Sequence, residues 1–323
     1  LKPRSFDVQS HKTNTLRRRT ADGLWLADGG LETTLIFHHG IDLPHFASFP
    51  LLSTGAGRDR LRQYFAGFLA EARGIGAGFV LDTVTWRSGK GWSEIMGIAP
   101  DEIDAVNRDA VAFTREIAAS KDAAGLDIIL NGVIGPHGDA YAPDRLLDAG
   151  EAEAAHERQV RVLAASGVDL ITATTIANAA EGIGIARAAL KAGVPVAVSF
   201  TVETDGRLVT GQPLGEAIAE TEAATGGGVA WFGVNCAHPD HFRDVLAGDW
   251  LGRIRMVRAN ASRKSHAELD NSTELDPGDA TELARDYRAL FEVLPSLHIL
   301  GGCCGTDAHH VAAIGQHCHH LAA

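Results

Sequence analysis

Short runs of Val, Ile, Leu and Ala recur along the chain at residues 24–27, 79–84, 127–131, 169–174, 196–201, 230–235, 255–259 and 297–300. They show little polar alternation, as expected of parallel strands covered on both faces. Between them lie stretches of helical period at 58–74, 101–119, 151–166, 181–191, 214–224, 241–246, 280–294 and 307–317. In the first of these, Leu61, Phe65, Phe68 and Leu69 share one face. Pro100 followed by Asp101 and Glu102 is a helix-start pattern, and Gly167 and Gly193 stand where helices stop. Eight strands alternating with eight helices predict a single-domain α/β fold, a (β/α)8 TIM barrel over residues 22–323. A doubly wound sheet is the alternative, but "ADGGLET" lacks the GxGxxG turn that such a sheet usually carries. Residues 1–21, with Arg17, Arg18 and Arg19, read as a polar, solvated N-terminal tail.

The longest connections, at about 37–57, 136–150, 202–213 and 260–278, all follow the carboxyl ends of strands. In a barrel that is the active-site face. The 323 residues are 45% hydrophobic, enough for a large core, and the net charge is −12. With a pI near 5.6, nucleic acid and anionic membrane surfaces are excluded as partners, because phosphate binding needs clustered Lys and Arg. No apolar run reaches membrane-spanning length. The four cysteines follow no secretory signal pattern, so reduced thiols and a cytoplasmic enzyme of small molecules are expected.

Three of those cysteines fall at strand ends. Cys236 follows the sixth run in "WFGVNCAHP", and Cys303 and Cys304 follow the eighth in "HILGGCCGT". Adjacent residues of a strand point to opposite faces, so both sulfurs can converge only if the backbone bends. Gly301, Gly302 and Gly305 permit that bend. Three thiolates on one rim are a zinc ligand set with a fourth, open position, the mark of a catalytic zinc. A redox pair is a further option, and Cys318 in the last helix reads as a small hydrophobe. His309, His310 and the 317–320 "HCHH" segment are metal-like in composition, and His38, His39 and His45 fall in the first long loop.

"GVNCAHP" with "GGCCGT" resembles the homocysteine S-methyltransferase family of zinc-dependent barrel enzymes. "LADGGLETTL", "GVIGPHGDAY", "SFTVETDGRLVTGQPLGEAI" and "VRANAS" are similar to its first, third, fifth and seventh strand segments, so the likeness covers roughly 22–315. The resemblance implies that Cys236, Cys303 and Cys304 hold Zn2+ and that a small thiol acceptor joins the metal as thiolate. That thiolate then takes a methyl group from a small onium donor, S-methylmethionine-like or betaine-like. It places Asp28 at the acceptor's ammonium and the N–H groups of Gly30 and Leu31 at its carboxylate. Asn260 and Asn235 would hydrogen-bond near the metal, although Asn235 equally suits a loop cap. At the end of the fourth strand the family has a glutamate for the ammonium, where this chain has Thr174. Asp82 could restore that charge, and Trp86 offers an apolar wall or a cation–π face. A zinc hydrolase on the same barrel is the alternative activity, and a zinc-retaining protein without turnover is another. The oligomeric state is left open.

Overall fold

The computed structural model describes residues 5–322. Eight parallel strands close into a barrel in sequential order. They are β1 (Trp25–Ala27), β2 (Gly78–Asp82), β3 (Ile128–Ile134), β4 (Leu170–Ile176), β5 (Val196–Phe200), β6 (Phe232–Asn235), β7 (Ile254–Ala259) and β8 (Ile299–Gly302). The main helices are α1 (Ser5–Arg19), α2 (Gly55–Ile75), α3 (Pro100–Ala118), α4 (Ala149–Ala165), α5 (Ala179–Ala192), α6 (Leu214–Thr225), α7 (Ala280–Leu290) and α8 (Ala308–Cys318). The predicted (β/α)8 architecture is therefore present, and each predicted strand and helix overlaps an observed one. The exception in form follows β6, where Pro239–Phe242 and a 3-10 turn, Arg243–Val245, replace a full helix.

The unalternated runs have a simple cause. Every strand has two buried faces, and the apolar residues of each face form separate clusters. Leu26, Phe79, Leu81, Ile171, Val198, Val257 and Leu300 pack outward against the helices. Trp25, Val80, Ile129, Leu170, Ala197, Met256 and Ile299 fill the barrel interior. Two residues further along, the inward set turns polar: Val80 gives way to Asp82, Ile129 to Asn131, Leu170 to Thr172, Ala197 to Ser199 and Met256 to Arg258. Side chains two apart lie on one face of a strand. The interior thus grades from an oily floor to a polar mouth at the carboxyl ends.

The solvated tail expected at the N-terminus is corrected, residues 1–4 lying outside the described part. Residues 5–19 form α1, and Leu16, 5% exposed, packs into the interior cluster beneath Trp25 and Trp231. Arg17 donates to the carbonyls of Val229 and Ala230, Arg19 to that of Ile128, and Arg255 in return to that of Arg17. Arg17 and Arg19, with Arg253, therefore cap carbonyls at the strand entrances. Among the described residues, no helix is long and apolar enough to cross a membrane.

Candidate active site

At the carboxyl end of the barrel lies a cavity of about 250 Å3. The sequence of the β8 exit explains how adjacent cysteines both reach it. Cys303 to Thr306 form a turn closed by the Thr306 N–H on the Cys303 carbonyl, 3.1 Å. Gly305 takes φ of +79° at its third position, where a type II turn requires left-handed backbone. Gly30 lets the turn after β1 approach: a Cβ there would lie 2.6 Å from the Cys303 carbonyl oxygen. From the end of β6, Cys236 enters with φ of +53°, and Thr175, within the irregular end of β4, has +64°. Left-handed backbone at two non-glycine residues is strain held in place by the surroundings.

The ligand-type sulfurs of Cys236, Cys303 and Cys304 all lie within 4.8 Å of one another. Cys236 and Cys303 are paired as a disulfide, with Cα atoms 5.2 Å apart, and Cys304 is free. Burial pushes the Cys304 thiol up to about 12. Three soft donors converging from two strand ends suit a tetrahedral thiophilic cation with one open position, so the residues present fit zinc once reduced. Their support is built from neutral groups. Asn235 accepts from the Thr175 N–H at 2.9 Å and donates to its hydroxyl at 2.8 Å; that hydroxyl lies 3.9 Å from the Cys236 sulfur. Asn235 also points its amide at the Cys303 sulfur, 4.0 Å away. The Cys236 carbonyl is held by Asn260 at 3.0 Å and His266 at 2.6 Å.

Beneath the sulfurs, Arg258 of β7 bonds both Asp28, after β1, and Asp82, at the end of β2. Tyr64 donates to the second oxygen of Asp28 at 3.1 Å. Asn131 donates to the second oxygen of Asp82 at 2.7 Å and accepts from Thr172 at 2.8 Å. Burial lifts the Asp28 carboxyl to about 7 against the pull of Arg258. Burial opposes the charge on Arg258 too, but the two carboxylates outweigh it and hold its pKa above the ordinary value.

Asp28, Gly30, Leu31, Asp82, Trp86, Thr174, Asn235 and the three cysteines all line the cavity. Asn260 does not; it stands behind the site, holding the Cys236 carbonyl. The Gly30 N–H donates to the Thr306 carbonyl at 2.9 Å, and the Thr174 hydroxyl points at the Thr172 carbonyl, 3.4 Å away. Asp82 brings a charge to the mouth, but Arg258 already balances it. Trp86 forms wall, its indole N–H on the Thr174 carbonyl at 3.3 Å.

Sequence reasoning missed Arg258, Glu32, Tyr64, Arg87, Tyr141 and His266. For Arg258 a signal existed: an arginine inside the apolar run "IRMVRA" needs buried acids, and two Asp residues end neighbouring strands. The predicted histidine clusters find local uses instead. His310 bonds Asp307 at the start of α8, 2.8 Å, and His317 bonds the Ala313 carbonyl, 2.8 Å. Another set of metal-type donors, His238, Asp240 and Asp286, already contains a cation, since Arg263 bonds both carboxylates at 2.6 and 3.1 Å.

A family model described as homocysteine S-methyltransferase matches residues 25–318. The maize protein homocysteine S-methyltransferase 4 is 25% identical, covering 92% of this chain and 90% of that one. A methionine synthase of Mycobacterium leprae is 31% identical over 140 residues, 41% of this chain but 11% of its own length, so the chain spans a small part of that relative. Among solved structures, the homocysteine methyltransferase MmuM from Escherichia coli superposes in its oxidised form with TM-score 0.71, at 21% identity over 91% of this chain and 95% of that one. Its metallated form gives 0.70, at 20% identity over 94% and 99%. These likenesses establish the barrel, and the family match extends over nearly all of it: the chain is a methyltransferase and belongs to the homocysteine S-methyltransferase family.

Proposed function

We propose that this protein is a zinc-dependent S-methyltransferase that moves a methyl group from a small onium donor, S-methylmethionine-like or betaine-like, to homocysteine or a related small thiol. The observation that carries this reading is the trio of Cys236, Cys303 and Cys304 sulfurs within 4.8 Å of one another at the barrel mouth. The family membership and the printed name of the maize relative support the acceptor. Zinc held by the three cysteinates would keep an incoming thiol ionised at neutral pH, where a free thiol near pKa 8.5 is mostly protonated.

The protein's own groups do the rest. Thr175 and Asn235 orient the Cys236 and Cys303 sulfurs without adding charge. Asn260 and His266 fix the strained Cys236 backbone from behind. Phe46, Trp86 and Tyr141 line the cavity as an apolar wall against the methyl groups of the donor. The acceptor thiol loses its proton to solvent. Its sulfur then forms a bond to the methyl carbon as the bond from that carbon to the onium centre breaks, leaving a neutral thioether or tertiary amine. Aligning the two reactants in one small cavity supplies much of the acceleration.

The test is transfer of a labelled methyl group from S-methylmethionine, and separately from betaine, to homocysteine. The enzyme is purified under reducing conditions with zinc counted by elemental analysis. Labelled methionine should form in proportion to bound zinc, disappear with a chelator and return on zinc addition. Fully zinc-loaded enzyme that forms no labelled methionine from either donor would overturn the reading.

A further inference from the structure

Of the cavity groups that the resemblance assigned to an acceptor's head group, Asp28, Asp82, Gly30 and Thr174 already have partners within the protein. Both oxygens of Asp28 are bonded, by Arg258 and Tyr64, and both of Asp82, by Arg258 and Asn131. The Gly30 N–H is on the Thr306 carbonyl, and the Thr174 hydroxyl points back at its own strand. Arg258, Tyr64 and Asn131 together place a donor on all four oxygens of the two carboxylates, which leaves the pair a weaker partner for a substrate ammonium.

Two charged side chains of the same cavity are not so occupied. Glu32, in the turn after β1, accepts only the Ser48 hydroxyl among side chains, at 2.8 Å, and no Lys or Arg pairs with it among the described residues. Arg87, in the loop after β2, gives one terminal nitrogen to the His45 carbonyl and forms no ion pair among the described residues. Its Nε is buried with no hydrogen-bond partner. The guanidinium is fixed by stacking, 3.9 Å from the Trp92 ring centroid and 4.7 Å from that of Trp86. Arg87 feels the charge of Asp139 first and that of Glu32 next, without touching either, and both Glu32 and Arg87 act on Cys304. Of the other cavity acids, Asp139 turns one oxygen to the N–H groups of Tyr141 and Ala142, and Asp270 is exposed at the mouth.

We propose that Glu32 and Arg87 clamp the head group of the acceptor amino acid, its ammonium on Glu32 and its carboxylate on the guanidinium of Arg87. This rests on the reading of the acceptor as a homocysteine-like thiol. An α-amino acid carries the two opposite charges on one carbon, which suits a carboxylate and a guanidinium held apart beside the sulfurs. A planar guanidinium fixed by aromatic rings is suited to two-point binding of a carboxylate. Recognition has thereby moved from the barrel floor side of the cavity, where Arg258 has closed the acidic pair, to the loops that form its wall.

The experiment compares wild type, Glu32→Gln and Arg87→Met, all zinc-loaded, with S-methylmethionine as donor. The acceptors are homocysteine, deaminohomocysteine, decarboxylated homocysteine and propanethiol. Glutamine retains the bond to Ser48 and methionine retains much of the stacking volume, and melting curves check that both variants fold. Glu32→Gln should lower kcat/KM for homocysteine roughly 10- to 100-fold, the worth of one charged hydrogen bond, and leave deaminohomocysteine unchanged. Arg87→Met should do the same for homocysteine while sparing the decarboxylated thiol, with partial rescue in Arg87→Lys. Wild type that methylates propanethiol as well as homocysteine would overturn the acceptor reading itself. A wild-type preference for homocysteine that survives both substitutions, a loss confined to the KM of the donor, or a loss equal for homocysteine and the truncated thiols overturns the clamp alone.

Discussion

The two ends of the barrel use the same residue types for opposite purposes. At the floor, Arg17, Arg19 and Arg253 lie partly exposed and donate to the carbonyls of strand entrances, while Leu16 plugs the oily interior. At the mouth, Arg258 is buried and holds two carboxylates, above which stand two left-handed non-glycine residues and three gathered sulfurs. Floor contacts close off backbone groups and ask nothing of a ligand. Mouth contacts concentrate charge and strain in a cavity left open. Stability and chemistry have been assigned to different ends, as barrel folds allow. Substitutions at each end should therefore fail in different ways.

The largest effect is expected where the sulfurs meet. Cys304→Ala removes one donor of three and places a methyl group in the cavity. Zinc content should fall far below one per chain and methyl transfer to homocysteine should be lost, while the melting temperature stays within a few degrees of the wild-type metal-free form. Elemental analysis beside circular dichroism checks this. Stoichiometric zinc with undiminished turnover would remove Cys304 from the ligand set and blur the contrast between the ends.

Next comes Arg258→Met, which strips the positive charge from between Asp28 and Asp82. Breaking a buried ion pair by removing one partner costs about 3–5 kcal/mol, because the remaining charge is left uncompensated. One or both carboxyls will then take up a proton instead. The variant's loss of stability should therefore be smallest in acid and grow as pH rises toward and through about 7, where burial places the Asp28 carboxyl. Chemical denaturation across pH reads both the size and the slope. A flat difference would mean that the two acids were never charged together.

How much of this was readable beforehand follows from the same contrast. The strands were visible because both their faces are buried, and the thiol trio because cysteine has few uses at a strand end. Arg258 was invisible in its role. Its partners lie about 176 and 230 residues away along the chain, and only the closed barrel places β7 opposite β1 and β2. Asp82 lies at the mouth, but the guanidinium that it shares with Asp28 could not be counted from its own segment. The helix α1 was misread because a single apolar anchor, Leu16, has no period for a pattern to reveal. Its arginines looked solvated because the acceptors of Arg17 are backbone carbonyls, which carry no sequence signature, and the carboxylate partner of Arg19, Asp127, lies far along the chain.

The smallest effect tests the floor. Leu16→Ala leaves the guanidinium contacts of Arg17 and Arg19 in place and opens a void under Trp25 and Trp231. Large-to-small changes at buried leucines cost about 2–5 kcal/mol. The lower end applies here, because the side chain sits at the edge of the interior where neighbours can settle into the gap. The melting temperature should drop, yet kcat/KM for methyl transfer and zinc content should match wild type at temperatures below the transition. The polar layer of Asp82, Asn131, Thr172 and Arg258 stands between the plug and the sulfurs, bonded to itself rather than to the oily layer below. Activity that falls in step with stability would show that the plug shapes the mouth through that layer, and that the two ends of the barrel work as one.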